Sequence, residues 1–435
     1  MERIVENQLN EWKTGVNRKV LLLRGARQVG KTHSVRKFGQ SFKYILEVNF
    51  ESDKEVYSVF NGNLNPDEIC LKLSAYYNIP IIDGETLLFF DEIQDCIPAI
   101  SSLRYFYEKR KGLHVIAAGS LLEFALKEIP SFGVGRIESL FMYPLSFDEF
   151  LWAMGEELLC DLKNASDSNN ALDNIFHKKL LNYLRQFLLI GGLPEVVAVF
   201  VQTKDLILTQ KVLDNLITGL NDDFAKYKKR VPVSRLRDVF DSIVHQSGGK
   251  FVLSKVGGNY NYAQIKEAIQ LLEMAGLIYK VTHTAANGLP LGAEANPQKA
   301  KIILFDIGIF HRILGLDLSR YLLLENYDFV NKGFLAEQLV GMEIIKYSSN
   351  YRANRLFYWH REKRGSSAEV DYIIQKGSLI LPLEVKSGTI GKMQSLRLFL
   401  KEKQIDFGVR ISMENFAQYD NIRVFPLYAV KNILN

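Results

Sequence analysis

The residues of this chain best suited to chemistry lie in Gly25-Ala26-Arg27-Gln28-Val29-Gly30-Lys31-Thr32, a complete G-x-x-x-x-G-K-T loop. The apolar run Val20 to Leu23 precedes it, and a helix-compatible stretch from Val35 to Phe38 follows. Glycines in such a loop let backbone N–H groups converge on a phosphate, and the helix that begins there turns its unpaired N-terminal donors to the same anion. Lys31 would reach the β- and γ-phosphate oxygens, and the Thr32 hydroxyl would hold Mg²⁺. Gly25 through Thr32, with His33 beyond them, form the candidate segment for binding ATP. The alternative is a glycine-rich turn with a fortuitous lysine.

Leu87-Leu88-Phe89-Phe90-Asp91-Glu92 is an apolar strand that ends in two carboxylates, the pattern of a Walker B segment in a buried parallel sheet. Asp91 would bind Mg²⁺, and Glu92 would polarise the water attacking the γ-phosphate. Adjacent strand residues face opposite ways, so the two acids can do different work. The next strand-like run, Leu113 to Ala118, leads to Ser120, a candidate to orient the attacking water or to cap the following helix.

A second constellation lies near the end of the chain. The strand-like Ala368 to Ile374, a Gly377-Ser378 turn, and Leu379 to Ser387 give D-x(12)-E-x-K through Asp371, Glu384 and Lys386. Side chains repeat every two residues along a strand, so Glu384 and Lys386 share a face. Two carboxylates meeting from adjacent strands suit a hard divalent cation bound through oxygen, and Lys386 would position water or steady a phosphorane. Glu337, on an upstream helical stretch, is a further candidate ligand. The set resembles the PD-(D/E)xK nuclease fold. The plain alternative is an exposed hairpin with an ordinary Glu384–Lys386 pair. Pro382 inside the second strand predicts an edge strand or a bulge.

The elements that must position these residues can be read from pattern. Alternating apolar strands and helical stretches over the first 160 residues predict a parallel sheet wrapped by helices, with strands near 19–24, 44–49, 86–91 and 113–118. Residues 155–174 are polar and read as a loop. A helical lid is expected over 175–230, broken at Gly191-Gly192-Leu193-Pro194-Glu195. A winged-helix-like unit is expected over 231–300, with Ile265, Ile269 and Leu272 on one helix face and Gly276 as its stop. Its presumed recognition helix carries one lysine and two glutamates, a poor set for reading DNA bases. Residues 301–435 form the C-terminal α/β domain.

Length and composition agree with that division. At 435 residues and 47% hydrophobic content the chain has material for several cores. It has no run approaching the ~18 uninterrupted apolar residues of a membrane span. Its N-terminus has no signal-like apolar core. Three cysteines without C-x-x-C spacing point to a reducing compartment, the cytoplasm, and away from structural zinc. The net charge of +5, from 54 basic and 49 acidic residues, permits nucleic acid without requiring it. Lys226, Lys228, Lys229, Arg230, Arg235 and Arg237 fall in one acid-free run, which is a solvated face or a contact with DNA, RNA or another partner.

The order of pieces carries a wider resemblance. The loop at 25–32, Phe-Phe-Asp-Glu-Ile-Gln at 89–94, Gly-Arg at 135–136, Pro-Leu-Ser-Phe at 144–147, Gly-Gly-Leu-Pro-Glu at 191–195 and Phe-Asp-Ile-Gly at 305–308 resemble the bacterial and archaeal AAA-type ATPases. The Glu-Val-Asp and Glu-Val-Lys of the C-terminal strands match as well, in a family whose C-terminal domain of unknown function has a restriction-nuclease-like core. The resemblance implies ATP binding and hydrolysis through Lys31, Thr32, Asp91 and Glu92. It also implies that Arg136 contacts the γ-phosphate, in cis or from a neighbouring subunit of a homo-oligomer. The alternative for Arg136 is a salt bridge to Glu138 or another acid. Two functions fit: an ATP-driven switch or motor acting through a nucleic-acid-processing C-terminal domain, or a signalling or defence regulator whose C-terminal domain binds protein partners.

Overall fold

In the computed structural model, residues 1–120, 122–128, 135–227, 231–315, 333–363, 367–388 and 393–434 are described. Helix α1 (Ile4–Thr14) leads into five strands, β1 (Val20–Arg24), β2 (Tyr44–Asn49), β3 (Thr86–Asp91), β4 (His114–Ala118) and β5 (Ile137–Phe141). They form one parallel sheet in the order β2-β3-β4-β1-β5. Strand β3 is buried along its whole length, as a strand covered on both faces must be, and this explains its unbroken apolar run. Helices α2 (Lys31–Gly39), α3 (Pro66–Tyr77), α4 (Ile97–Lys109) and α5 (Leu122–Glu128) complete the layers. The strand order places β4 between β1 and β3, so the ends of all three converge on one edge of the sheet.

The next segment differs from expectation. Residues 155–174 are not all loop: α7 (Glu157–Asn164) follows α6 (Phe147–Ala153) and buries Leu159, Cys160 and Lys163. Its polar composition concealed one inward face, where Lys163 meets Asp148 at 2.8 Å, both side chains fully enclosed. Helices α8 (Asn174–Ile190), α9 (Pro194–Thr203) and α10 (Leu206–Asp223) form the helical region, broken at Gly191 to Leu193.

Helix α11 (Val233–His245) packs on α12 (Tyr262–Met274), whose Ile265, Ile269 and Leu272 are buried and whose end is marked by Gly276 at φ +72°. The hairpin that follows, β6 (Ile278–Thr284) and β7 (Ala295–Leu304), is not a free wing. It forms one end of an eight-stranded mixed sheet, and a boundary at 300/301 falls inside β7. The rest of that sheet is β8 (Leu356–His360), β9 (Glu369–Lys376), β10 (Leu379–Val385), β11 (Gly408–Ser412), β12 (Ala417–Tyr419) and β13 (Ile422–Pro426). Helices α13 (Ile307–Ile313), α14 (Gly333–Tyr347), α15 (Gln394–Lys403) and α16 (Val430–Leu434) accompany it.

Pro382 corrects an expectation: β10 is interior, between β9 and β11, and its register with β9 runs through Pro382 without a bulge. Pairing with β11 begins only at Leu383, so on that side a missing N–H at Pro382 costs no ladder bond. A single apolar core runs from Val5 of α1 through the helical region to Ile433 of α16, joining the two sheets, while a second core fills the other face of the parallel sheet. Among the described residues no helix is long and apolar enough to cross a membrane.

Candidate functional site

The glycine loop connects β1 to α2, with Gly30 at φ +93° as the residue before the helix. Gly25 is required by contact as well as by conformation: a Cβ there would lie 2.1 Å from the Met142 carbonyl oxygen. Lys31 is buried, and its Nζ donates to the Gly25 and Ala26 carbonyl oxygens at 2.9 and 2.7 Å. Burial pushes its pKa down to about 8, so a phosphate that replaced those carbonyls would be drawn to a poorly compensated cation. Thr32 Oγ1 donates to Asp91 Oδ2 at 3.0 Å, so a hydroxyl and a carboxylate stand together as oxygen ligands for Mg²⁺. Burial raises the pKa of Asp91, as expected of a carboxylate lacking a full counter-charge. These residues therefore fit the ion.

Glu92 follows at φ +47°, turned out of the strand, and its Oε2 accepts from Gln94 Nε2 at 2.6 Å and from the Ser120 hydroxyl at 3.2 Å. Ser120 thus meets Glu92 at the ends of neighbouring strands. Gly119 leaves room for this: a Cβ there would lie 2.0 Å from Gln94 Oε1. His33 is exposed on the first turn of α2. Arg27 points away from the loop to Asp223 at the end of α10.

Arg136 stands elsewhere. Ile137 pairs with Val20 at the start of β1, whereas the glycine loop leaves the other end of that strand after Arg24, which pairs with Phe141. Four residues of strand separate the two ends, about 13 Å at ~3.3 Å per residue. Arg136 forms an ion pair with Glu108 there, so a contact with a γ-phosphate in the same chain is ruled out by the register.

Several residues of this region carry no motif. Arg3 is buried and paired with Glu149 at 2.8 Å, and it donates to the Val29 and Tyr143 carbonyls at 3.0 and 2.7 Å, clamping the loop from the N-terminal segment. Behind it lies a knot of close backbone approaches. A Cβ on Gly191 would lie 2.3 Å from Asp306 Oδ1, one on Gly192 would lie 2.3 Å from the Leu145 carbonyl, and one on Gly308 would lie 2.3 Å from the Ile190 carbonyl. Asp306 accepts from the Gly192 N–H at 2.8 Å and caps α13. Helix α14 grips the same segment: Glu343 accepts from the Phe147 N–H at 2.9 Å, and Lys346 donates to the Leu145 carbonyl at 2.9 Å. These contacts give a physical reason for the glycines of two sequence elements, Gly-Gly-Leu-Pro-Glu at 191–195 and Phe-Asp-Ile-Gly at 305–308.

On the eight-stranded sheet, Asp371 and Glu384 lie on adjacent strands, and Glu337 reaches them from α14. Lys386 pairs with Glu384 at 2.6 Å, and Asp371 Oδ2 accepts from the Val385 N–H at 2.8 Å. Two residues outside the expected set complete the pocket. Lys301 of β7 lies 3.1 Å from Glu337, 2.5 Å from Glu369 and 3.6 Å from Asp371. No local pattern signals Lys301, because its partners lie on two other elements, α14 and β9. Four carboxylates then face two lysines, and Glu384 Oε2 is buried without a partner. Burial and the neighbouring Asp371 push Glu337 up to about 8 and Glu384 up to about 7. A buried, unpartnered carboxylate oxygen in a net acidic pocket fits a divalent cation.

The described members of the basic run are engaged within the chain. Lys226 pairs with Glu51 at 3.2 Å, Arg235 with Glu267 at 3.2 Å, and Arg237 donates to the Asn221 carbonyl at 3.4 Å. Lys228, Lys229 and Arg230 lie outside the described residues.

Comparison with known proteins agrees with the N-terminal geometry. Residues 17–151 match the family described as an AAA domain. Residues 181–320 and 332–430 match two domains of unknown function, DUF8612 and DUF4143. Sheet, loop and family match together define an AAA-type P-loop ATPase domain at the N-terminal end of the described fold. An uncharacterized protein of Mycobacterium tuberculosis is 25% identical over 195 residues, 44% of this chain and 41% of its own length. One of Methanocaldococcus jannaschii is 28% identical over 183 residues, 41% of this chain and 36% of its own. The chain thus spans about two fifths of the curated relatives it matches. Among solved structures, the Walker-type ATPase of Pyrococcus abyssi aligns at 16% identity and TM-score 0.46, over 72% of this chain and 96% of that one. The ORC1 protein of Aeropyrum pernix, in complex with DNA, aligns at 13% identity and TM-score 0.29, over 74% and 92%.

Proposed function

We propose that this chain is a Mg²⁺-dependent ATPase whose nucleotide cycle drives its C-terminal domain to act on nucleic acid. The observation that carries this reading is the knot at Leu145, Gly192 and Asp306, which links the loop-clamping segment to α14. In the proposed cycle the loop N–H groups and Lys31 bind the phosphates, Thr32 and Asp91 hold Mg²⁺, and Glu92 takes a proton from the attacking water while Ser120 orients it. Movement of the loop would then pass through the knot to α14, which carries Glu337 into the acidic pocket. Arg136 is left for contact with a neighbouring subunit.

The order α14, β8, β9, β10, α15, β11 and the convergence of Glu337, Asp371, Glu384 and Lys386 support a nuclease-like C-terminal core. Those carboxylates would hold a divalent ion, which supplies a Lewis acid for a phosphodiester. The α11–α12 pair with its hairpin supports a winged-helix-like unit fused to that sheet. A second reading, the regulator with protein partners, is favoured by Lys301, which already neutralises part of the pocket, and by the internal pairing of Lys226 and Arg235.

The test is purified protein with Mg²⁺ and ATP, with and without plasmid DNA, followed for phosphate release and strand breaks. DNA-stimulated turnover or metal-dependent nicking that is lost in Asp371→Asn/Glu384→Gln supports the first reading. Turnover indifferent to DNA, with no breaks, moves the assignment to the regulator.

A further inference from the structure

Beyond the acidic pocket, the same sheet carries two imidazoles and a carboxylate that neither reading uses. His283 lies on β6, His360 ends β8, which pairs with β6, and Glu362 follows two residues later. One ligand atom from each of the three lies within 4.8 Å of the other two. The imidazole rings stand edge to face with centroids 4.7 Å apart, and His283 Nδ1 is 4.0 Å from Glu362 Oε1.

The chemistry of His283 is fixed by its second nitrogen. Nε2 lies 3.3 Å from the His360 carbonyl oxygen, which can only accept, so Nε2 carries the proton and Nδ1 presents a lone pair. That Nδ1 is buried without a hydrogen-bond partner, on a side chain only 4% exposed. His360 Nδ1 is likewise buried without a partner. A lone pair in such a place costs free energy unless something accepts it. The arrangement, with one ring nitrogen tied to a backbone carbonyl and the other free, is the outer-shell pattern that orients histidine metal ligands.

We propose that His283, His360 and Glu362 form a binding site for a zinc-class transition-metal ion, distinct from the Mg²⁺ ligands of the acidic pocket. Two nitrogens and one oxygen are the donors that Zn²⁺, Co²⁺ or Ni²⁺ select, whereas Mg²⁺ takes oxygen. Ligand atoms around a tetrahedral ion are separated by about 3.4 Å when its bonds are about 2.1 Å long, so the three side chains need to close by roughly an ångström. Glu362 is the member with room to close, since its side chain is 59% exposed and pairs with Lys299, which the ion would displace. Three protein ligands leave the fourth position to water.

Full-length protein, stripped with chelator, is titrated with Co²⁺ and followed by the visible absorption of the tetrahedral ion, with Zn²⁺ competing. One equivalent is expected, retained in Asp371→Asn/Glu384→Gln and weakened at least about tenfold in His360→Ala and in Glu362→Gln. Glu362 is exposed, so its variant reports on ligation even if loss of a histidine disturbs folding. No tetrahedral absorption, or one equivalent whose affinity is unchanged in Glu362→Gln and His360→Ala, overturns the site. Loss of binding in Asp371→Asn/Glu384→Gln instead assigns the ion to the acidic pocket.

Discussion

Each of the two main pockets holds a buried lysine, and the partners of the two lysines are opposite in kind. Lys31 is held by two neutral carbonyl oxygens of its own loop, and Lys301 by carboxylates from α14 and β9. A phosphate can readily outcompete carbonyls for an ammonium, because it brings a full opposite charge where a carbonyl offers only a dipole. Nothing so easily replaces Lys301. The first pocket is poised to accept an anion; the second keeps a resident cation and still has acidic charge to spare.

That contrast is tested most severely at Lys31. Lys31→Ala should lower ATP affinity by about 10² or more and abolish turnover, because the loop backbone cannot replace a cation aimed at the phosphates. Calorimetry with ATP measures it, and unchanged affinity would refute the reading of the loop. Glu92→Gln should leave binding intact and reduce turnover by about 10². Phosphate release near wild type would assign the proton transfer to another residue.

The same kind of change sharpens the comparison from the side of stability. Lys301→Met leaves Glu337, Glu369 and Asp371 facing one another without their shared cation, and breaking a buried ion pair costs ~3–5 kcal/mol. Lys31→Met strands only neutral carbonyls and should cost far less. Urea unfolding of both variants gives the ratio, and added Mg²⁺ should restore part of the loss in Lys301→Met alone. Equal costs would mean that the two lysines are held in the same way.

The first pocket was legible in sequence because its parts are local. Gly25 to Thr32 and Asp91-Glu92 each lie on consecutive residues, where backbone geometry alone fixes their relation. The four strands read from pattern lie within a residue of those observed, because buried parallel strands are short and continuously apolar. What stayed hidden was assembled from afar. Arg3 and Lys301 act through partners on other elements, and nothing within a helical or strand period marks them, whereas Glu369 stands two residues before Asp371 on the same strand face. The glycines at 191 and 192 break a helix, as their pattern predicts; that Asp306 and Leu145 need the same space comes only from tertiary contact. Helix α7 was missed because its inward residues include a lysine, which composition assigns to the surface. Arg136 was carried over by resemblance, and only the β1–β5 register placed it at the far end of the sheet.

The smallest effect concerns the spare acidic charge. Glu384 and Glu337 ordinarily titrate at 4.5, and burial followed by repulsion from Asp371 raises them to about 7 and about 8. A carboxyl whose pKa is raised by folding keeps its proton in the native state while the unfolded chain has lost it. The stabilisation it contributes is therefore complete below 4.5 and lost as the pH rises through the native value. Glu384→Gln removes that titration and keeps the shape. The difference in stability, wild type minus variant, should fall between about pH 4.5 and 7, by at most about 1.4 kcal/mol per pH unit, and then level off. Thermal melts in chelator across that range measure it. Mg²⁺ favours the ionised carboxylates and should flatten the decline. A difference already flat in chelator would mean that Lys386 and Lys301 compensate the pocket fully, leaving a divalent ion no uncompensated charge to neutralise.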